Sequence, residues 1–322
     1  MALHRIRELT IGVPNVADTA AYYQDFGLTR LDDPAADESN ARPSDGASAM
    51  RFATVDGGEQ LRIVRTDRRR LVRLALAADD ADDLARIAES LDRRNHPFEL
   101  SAAGIRTTEP AANIAVEVSV EPRLVQRASP APKCNRPGDA QRVDARAAAL
   151  SREEPVRPRR LGHVVIGSTD REATRDFFLE GLGFKISDEV PGLASFMRCS
   201  EDHHNVLVQS APIDFLHHTA WQVDDVDEIG RGATAMLTVD PARHAWGLGR
   251  HYLGSNFFWY LRDPAGNFSE YFSDMDCIVD DAVWKPEVLA GAKGLYSWGP
   301  PPPADFVEPA DVAEMLASMH TS

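Results

Sequence analysis

The chain resembles itself, and that constrains its fold more than any other feature. Arg7-Glu8-Leu9-Thr10-Ile11-Gly12 aligns with Gly162-His163-Val164-Val165-Ile166-Gly167, and Tyr22-Tyr23 then falls opposite Phe177-Phe178. Further along, Ser48–Phe52 matches Ser195–Cys199 and Ala77–Leu84 matches Gln222–Ile229. Self-similarity at this scale marks a repeated architecture. Each half reads as two copies of one unit, a strand, a helix and three more strands. The expected fold is therefore α+β, with two domains of two βαβββ modules each. The expected bounds are residues 1–122 for the first domain, 123–159 for a linker, 160–275 for the second domain and 276–322 for a tail.

Hydrophobic periodicity fills in the modules. Arg5–Val13 is a strand, and Asn15–Phe26 a helix with Val16, Ala20 and Tyr23 on one face and Gly27 at its stop. Strands follow around 49–52, 60–64 and 71–77. Asp79–Leu91 is a helix with an acidic first turn, and Ile114–Val120 is a strand. Between Arg123 and Arg160 the periodicity dissolves among Pro130, Pro132, Pro137, Pro155 and Pro158. This is a linker, with one short helix expected around Ala140–Leu150, and it is long enough to wrap over a domain.

The second half repeats the plan. Leu161–Gly167 is a strand, and Ser168-Thr169-Asp170 offers caps for a helix over Arg171–Leu182. Three strands come next, then strand Phe215–Val223 and helix Asp224–Met236. The last strands lie near 245–249, 257–261 and 268–272, with Asp263-Pro264 and Gly266-Asn267 turning the final hairpin. Beyond Ile278 the run Pro300-Pro301-Pro302-Pro303 cannot enter a sheet or helix interior, while Pro309–Met319 suits a short helix. Whether this tail packs on its own domain or on a second subunit is open at this level.

Composition narrows the partners. A net charge of -15 argues against nucleic acid and anionic membranes. No apolar run reaches the roughly 20 residues of a membrane span. The first residues lack the apolar core of a signal peptide, so a cytoplasmic setting is expected. Three widely spaced cysteines make neither a disulfide framework nor a zinc ribbon.

Seven of the ten histidines lie in the second half, between His163 and His251. Imidazole is the commonest metal ligand. Two histidines and a carboxylate on separate strands would form the facial triad of non-haem Fe(II) oxygenases. His217 and His218 are adjacent, so strand alternation lets only one of them join it. The internal register places Glu8, Arg73 and Glu117 where His163, His218 and Glu270 stand. An arginine between two carboxylates suits a salt-bridged core and not a metal site. The first domain is accordingly expected to be structural.

Three stretches carry a family resemblance: Gly162–Ile166, Leu216–Trp221, and Gly249-Arg250-His251 continuing through Asn256–Glu270. They resemble the catalytic domain of the type I extradiol ring-cleaving dioxygenases, in the vicinal oxygen chelate superfamily with glyoxalase I and bleomycin resistance proteins. The resemblance implies His163, His218 and Glu270 as ligands to Fe(II), with Mn(II) as the alternative. It implies that His204 handles protons beside oxygen, that His251 hydrogen-bonds a substrate oxygen, and that Tyr260 lies near the other catechol oxygen. His203 is the weaker of its pair. The implied partners are a small aromatic diol of the catechol type and O2, with assembly as a homo-oligomer. The implied reaction opens the ring to a semialdehyde or keto-dienoate, in aromatic hydrocarbon catabolism.

Two rival readings keep the fold and change the chemistry, because function belongs to the site. One is another metal-dependent enzyme of the superfamily, an isomerase or lyase. The other is a non-catalytic small-molecule binding protein. A hydroxyphenylpyruvate-type oxygenase would need a basic clamp for a carboxylate, for which Arg250 is the candidate.

Overall fold

The computed structural model describes residues 2–32, 49–289, 294–307 and 309–319. Two mixed sheets of eight strands dominate it. The first holds β1 (Leu3–Val13), β2 (Thr29–Leu31), β3 (Met50–Thr54), β4 (Gly58–Arg65), β5 (Arg70–Ala78), β6 (Phe98–Ser101), β7 (Gly104–Glu109) and β8 (Ile114–Val120). A two-residue ribbon, β9 (Asn135–Arg136) and β10 (Asp139–Ala140), lies in the connection. The second sheet holds β11 (Arg160–Ser168), β12 (Lys185–Val190), β13 (Ala194–Arg198), β14 (Val206–Ser210), β15 (Phe215–Gln222), β16 (His244–Arg250), β17 (Phe257–Arg262) and β18 (Phe268–Ser273).

Strand order is the same in both sheets: β2-β3-β4-β1-β5-β8-β7-β6 and β12-β13-β14-β11-β15-β18-β17-β16. Within each module the first strand pairs in parallel with the last, as β1 with β4 and β15 with β18. The two modules of a sheet join through an antiparallel pair, β1 with β5 and β11 with β15. The βαβββ repeat is therefore observed four times, with helices α1 (Val16–Asp25), α2 (Ala81–Arg93), α3 (Arg171–Asp176) and α4 (Val226–Val239). Asp80, Asp170 and Asp225 cap α2, α3 and α4 by accepting a backbone N–H.

The sequence-based assignment needs four corrections. It contains neither β6 nor β7, whose short segments flank a turn at Ala102-Ala103 and lack a long apolar stretch. It misses β2, three residues long with two exposed side chains. The helix from Arg171 loses α-helical bonding at Phe177 and widens into a π-turn over Phe177–Gly181. The helix expected around Ala140–Leu150 is absent; one 3-10 turn, Ala148–Ser151, stands at its end.

The connection wraps as expected. Arg152 pairs with Asp225 and Glu228 at the start of α4, and Arg159 bridges Asp56 and Asp224. One apolar core spans both halves. The Phe26 ring stacks on Tyr271 at 3.9 Å, and the Tyr271 hydroxyl donates to the Phe26 carbonyl. The tail also packs on its own chain. After α5 (Ala304–Val307), Asp311 at the start of the last turn accepts two hydrogen bonds from Arg69 of the first half, and α6 (Val312–Met319) follows. Tail residues 290–293, 308 and 320–322 lie outside the described residues. Among the described residues no helix is long and apolar enough to cross a membrane.

The centre of the first sheet is an ion cluster, as the repeat register predicts. Glu8 lies opposite Ala75, and Ala75 opposite Glu117, so both carboxylates share a face with Arg73 two residues before Ala75. The Arg73 guanidinium donates to Glu117 Oε2 at 2.6 Å and to Glu8 Oε1. Arg62 reaches Glu8 at 3.1 Å. Burial still raises the Glu8 carboxyl above its ordinary value, against the pull of both arginines. Removing one partner of a buried ion pair leaves the other charge uncompensated. Arg73→Met is expected to destabilise the protein by about 3 kcal/mol in urea unfolding. A loss below about 0.5 kcal/mol would mean that the cluster is effectively solvated.

Candidate metal centre

The second sheet uses the same frame with different residues. His163 on β11 lies opposite Ala220 on β15, and Ala220 lies opposite Glu270 on β18. His218 precedes Ala220 by two residues and so projects from the same face. The small Ala220 side chain leaves space between the three larger ones. His163, His218 and Glu270 are all buried, and their ligand atoms lie within 4.8 Å of one another. His163 Nε2 and His218 Nε2 are 3.3 Å apart, at 3.1 Å and 3.5 Å from Glu270 Oε2.

This cluster fits a metal. Glu270 is fully buried, yet its Oε2 accepts no hydrogen bond despite the nearby ring nitrogens. A buried carboxylate oxygen without a donor is costly. Three ligand atoms converging at this distance can hold a cation between them. Two imidazoles and a carboxylate converging from one face of the sheet are the donor set of a facial triad.

Surrounding residues set the protons. His217 is not part of the cluster, but it controls His218. Its Nε2 donates to the Phe306 carbonyl on α5, and its Nδ1 lies 2.7 Å from His218 Nδ1. Burial pushes His217 down to about 4, so the ring is neutral and carries one N–H. A carbonyl can only accept, so that proton is on Nε2. His217 Nδ1 must then accept from His218 Nδ1–H, which leaves His218 Nε2 bare and turned to the cluster. Such outer partners orient metal-binding histidines. Burial also holds His218 well below its ordinary value. Asn256 Nδ2 donates to Glu270 Oε1 at 3.0 Å, directing Oε2 to the centre. His163 differs, since its buried Nδ1 has no hydrogen-bond partner.

The three other predicted residues are close by. His251 Nε2 is 2.8 Å from the Tyr260 hydroxyl and 3.9 Å from Glu270 Oε1. His251 Nδ1 donates to the Leu295 carbonyl of the tail. Burial lowers its basicity, so Nε2 is a lone pair that accepts the Tyr260 O–H. The Tyr260 phenol is driven well above its usual value, chiefly by burial and then by Glu270. The His204 ring centroid is 4.1 Å from that of His163, and burial holds His204 well below its ordinary value too.

Alternation separates the aromatic residues of β17. Phe258 and Tyr260 join Trp246 and Phe306 in a cluster beside the site, while Phe257 and Trp259 pack against the main core. Trp221 is core rather than wall, its indole bonded to Thr219. His244 is exposed and bonded to Trp259. Arg250 is committed to Asp274 and the Ser255 carbonyl and lies over the Phe257 ring, so it is no spare clamp for a substrate carboxylate.

The comparisons with known proteins agree with this arrangement. The Glyoxalase/Bleomycin resistance protein/Dioxygenase superfamily profile matches residues 160–271. The chain is 31% identical over 314 residues to metapyrocatechase 2 of Cupriavidus necator, covering 95% of this chain and 92% of that one. Over 157 residues it is 29% identical to the manganese-dependent 2,3-dihydroxybiphenyl 1,2-dioxygenase of Geobacillus genomosp. 3, covering 45% of this chain and 50% of that one. Among solved structures it is similar to a Mn(II)-bound glyoxalase of Novosphingobium aromaticivorans, with TM-score 0.70, 25% identity, and 94% and 93% of the two chains covered. The chain belongs to the extradiol ring-cleaving dioxygenases of the glyoxalase/bleomycin resistance/dioxygenase superfamily.

Asn256→Ala and His217→Phe are each expected to weaken metal binding roughly 10–100-fold, as loss of an outer partner does elsewhere. Competition against a coloured chelator measures this, with circular dichroism as the folding control. Unchanged affinity in both would separate these residues from the centre.

Proposed function

We propose that the chain is an Fe(II)-dependent extradiol dioxygenase acting on a catechol that bears an aryl or alkyl substituent, with His163, His218 and Glu270 as the metal ligands. The convergence of their three ligand atoms, all within 4.8 Å of one another in a buried space, carries this reading. Mn(II) is the alternative ion, named for one relative and one similar structure. When bound, the ion supplies a positive centre at which a diol chelates and O2 adds.

The chain's own residues do the rest. His251 Nε2 and Tyr260 Oη form one hydrogen-bonded pair beside Glu270. A proton leaving the substrate hydroxyl can pass to Tyr260 Oη while the phenol's own proton moves to His251 Nε2. His204 exchanges protons with the reacting oxygens. Trp246, Phe258 and Phe306 are nearly fully buried and exclude water on the Tyr260 side. A cavity of about 710 Å³ reaches His251 and is lined by Leu253, Val283 and Trp284 together with Asp188, Asp280, Lys285 and Glu287. It has room for a substituent larger than the diol ring. Residues 1–122 are the structural domain, 123–159 the strap between domains, 160–275 the catalytic domain, and 276–322 a tail that holds His217 and His251 by its carbonyls.

Likeness to the Mn(II)-bound glyoxalase favours a second reading, a metal-dependent isomerase or lyase. One experiment separates the two. The protein is loaded with Fe(II) without air, then given O2 and catechol, 3-methylcatechol, a biphenyl-diol or a carboxylated catechol. The expected result is a yellow ring-opened product with one O2 consumed per diol. His218→Ala and Glu270→Ala should abolish it, and His204→Ala should lower kcat by about 10²–10⁴-fold. One iron per chain without oxygen uptake on any diol would overturn the dioxygenase reading in favour of the second.

A further inference from the structure

The sequence contains two His-His dipeptides, and both fold into the same arrangement. In the first, the Phe306 carbonyl, His217 and His218 form a line that ends at the metal centre. In the second, the corresponding line is Asp188, His203 and His204. His203 Nε2 lies 2.7 Å from Asp188 Oδ2, and His203 Nδ1 lies 3.0 Å from His204 Nδ1. The His203 and Asp188 side chains are 0% and 3% exposed.

The surroundings fix this line firmly. A bulge in β12 between Ile186 and Asp188 shifts the strand where the carboxylate sits. The other oxygen, Asp188 Oδ1, accepts from the Glu287 backbone N–H. Trp284 packs edge-on against the His203 ring at 5.5 Å and donates from its indole to the Ser187 carbonyl. Phe196 lies 5.8 Å from His203 and 5.2 Å from His204.

The far end decides the direction of the hydrogen bonds. An ionised carboxylate only accepts, so His203 carries its proton on Nε2. With that proton on Nε2, His203 Nδ1 offers a lone pair to His204 Nδ1 at 3.0 Å, the geometry in which His204 donates Nδ1–H. His204 keeps Nε2 as a bare acceptor, and no described residue bonds to that atom. The logic is that of a carboxylate orienting a catalytic imidazole, with one extra ring between them.

We propose that Asp188 and His203 are positioning residues that hold His204 as the Nδ1–H tautomer, with Nε2 as its working atom. The proposal rests on the reading of His204 as the proton-handling group. When His204 takes a substrate proton at Nε2, the imidazolium faces the Asp188 carboxylate through His203. Returning that proton to the product restores the neutral line, so no proton is consumed overall.

Two measurements test it on the full-length chain. The first is histidine ¹⁵N NMR of the Zn(II)-loaded protein. It should show His204 protonated at Nδ1 and bare at Nε2, with that preference lost in Asp188→Asn and His203→Phe. Protonation at Nε2 in the unaltered protein would overturn the proposal. The second is oxygen uptake by the Fe(II)-loaded protein. His203→Phe should lower kcat about 10–10³-fold, with iron content and diol KM unchanged. In a His204→Ala background the same substitution should cost nothing more, because residues acting as a unit are not additive. An equal loss in both backgrounds would show a merely structural role. If His203→Phe does not fold, Asp188→Asn takes its place in both measurements. If the unaltered protein consumes no diol at all, the functional reading fails, and the NMR result still decides the tautomer.

Discussion

The second half of the molecule is built around one electrostatic demand. Three lone-pair atoms, on His163, His218 and Glu270, are held together in a buried space by three neighbouring central strands. Without a cation, Glu270 Oε2 stays buried with no donor. The surrounding contacts make sense as devices that hold these atoms in place against that cost. Asn256 turns the carboxylate, His217 strips the proton from the nitrogen of His218 that faces the centre, and the tail carbonyls at Leu295 and Phe306 set His251 and His217 in turn.

The first half shows what the frame does when the cation is built in. Glu8, Ala75 and Glu117 stand in register as His163, Ala220 and Glu270 do, and Arg73 takes the place of His218. The guanidinium bridges the two carboxylates directly. Both sheets thus place a positive charge at the same point of the same topology. One carries it as a side chain and is closed. The other leaves it to an ion, held by His163, His218 and Glu270. The pairing of small alanine with two larger neighbours is common to both, because either cation needs that space.

Much of this was legible in the sequence because it depends on periods and registers. Strand alternation admitted only one of His217 and His218, the internal repeat set Arg73 between two carboxylates at positions matching His163, His218 and Glu270, and the resemblance implied those three as ligands. The resemblance named His204, His251 and Tyr260, which the fold brings beside the cluster. What escaped notice lacks a local signal. β6 and β7 are short and polar, and their pairing with β8 comes only from the sheet. Asn256, His217, His203 and Asp188 look ordinary along the chain. The nearest hint was the doubled His-His pair, in which strand alternation admitted only one of His217 and His218 and the resemblance preferred His204 to His203.

The sequence by itself determined the modules, their doubling and the residue types of the candidate donors, since a period of two and an internal repeat can be read along the chain. The tertiary structure alone decided where each proton sits. His218 is bare at Nε2 because Phe306, 88 residues later, offers a carbonyl to His217. Hydrogen-bond direction depends on the last acceptor in a line, and that acceptor arrives from a distant segment only when the chain has folded.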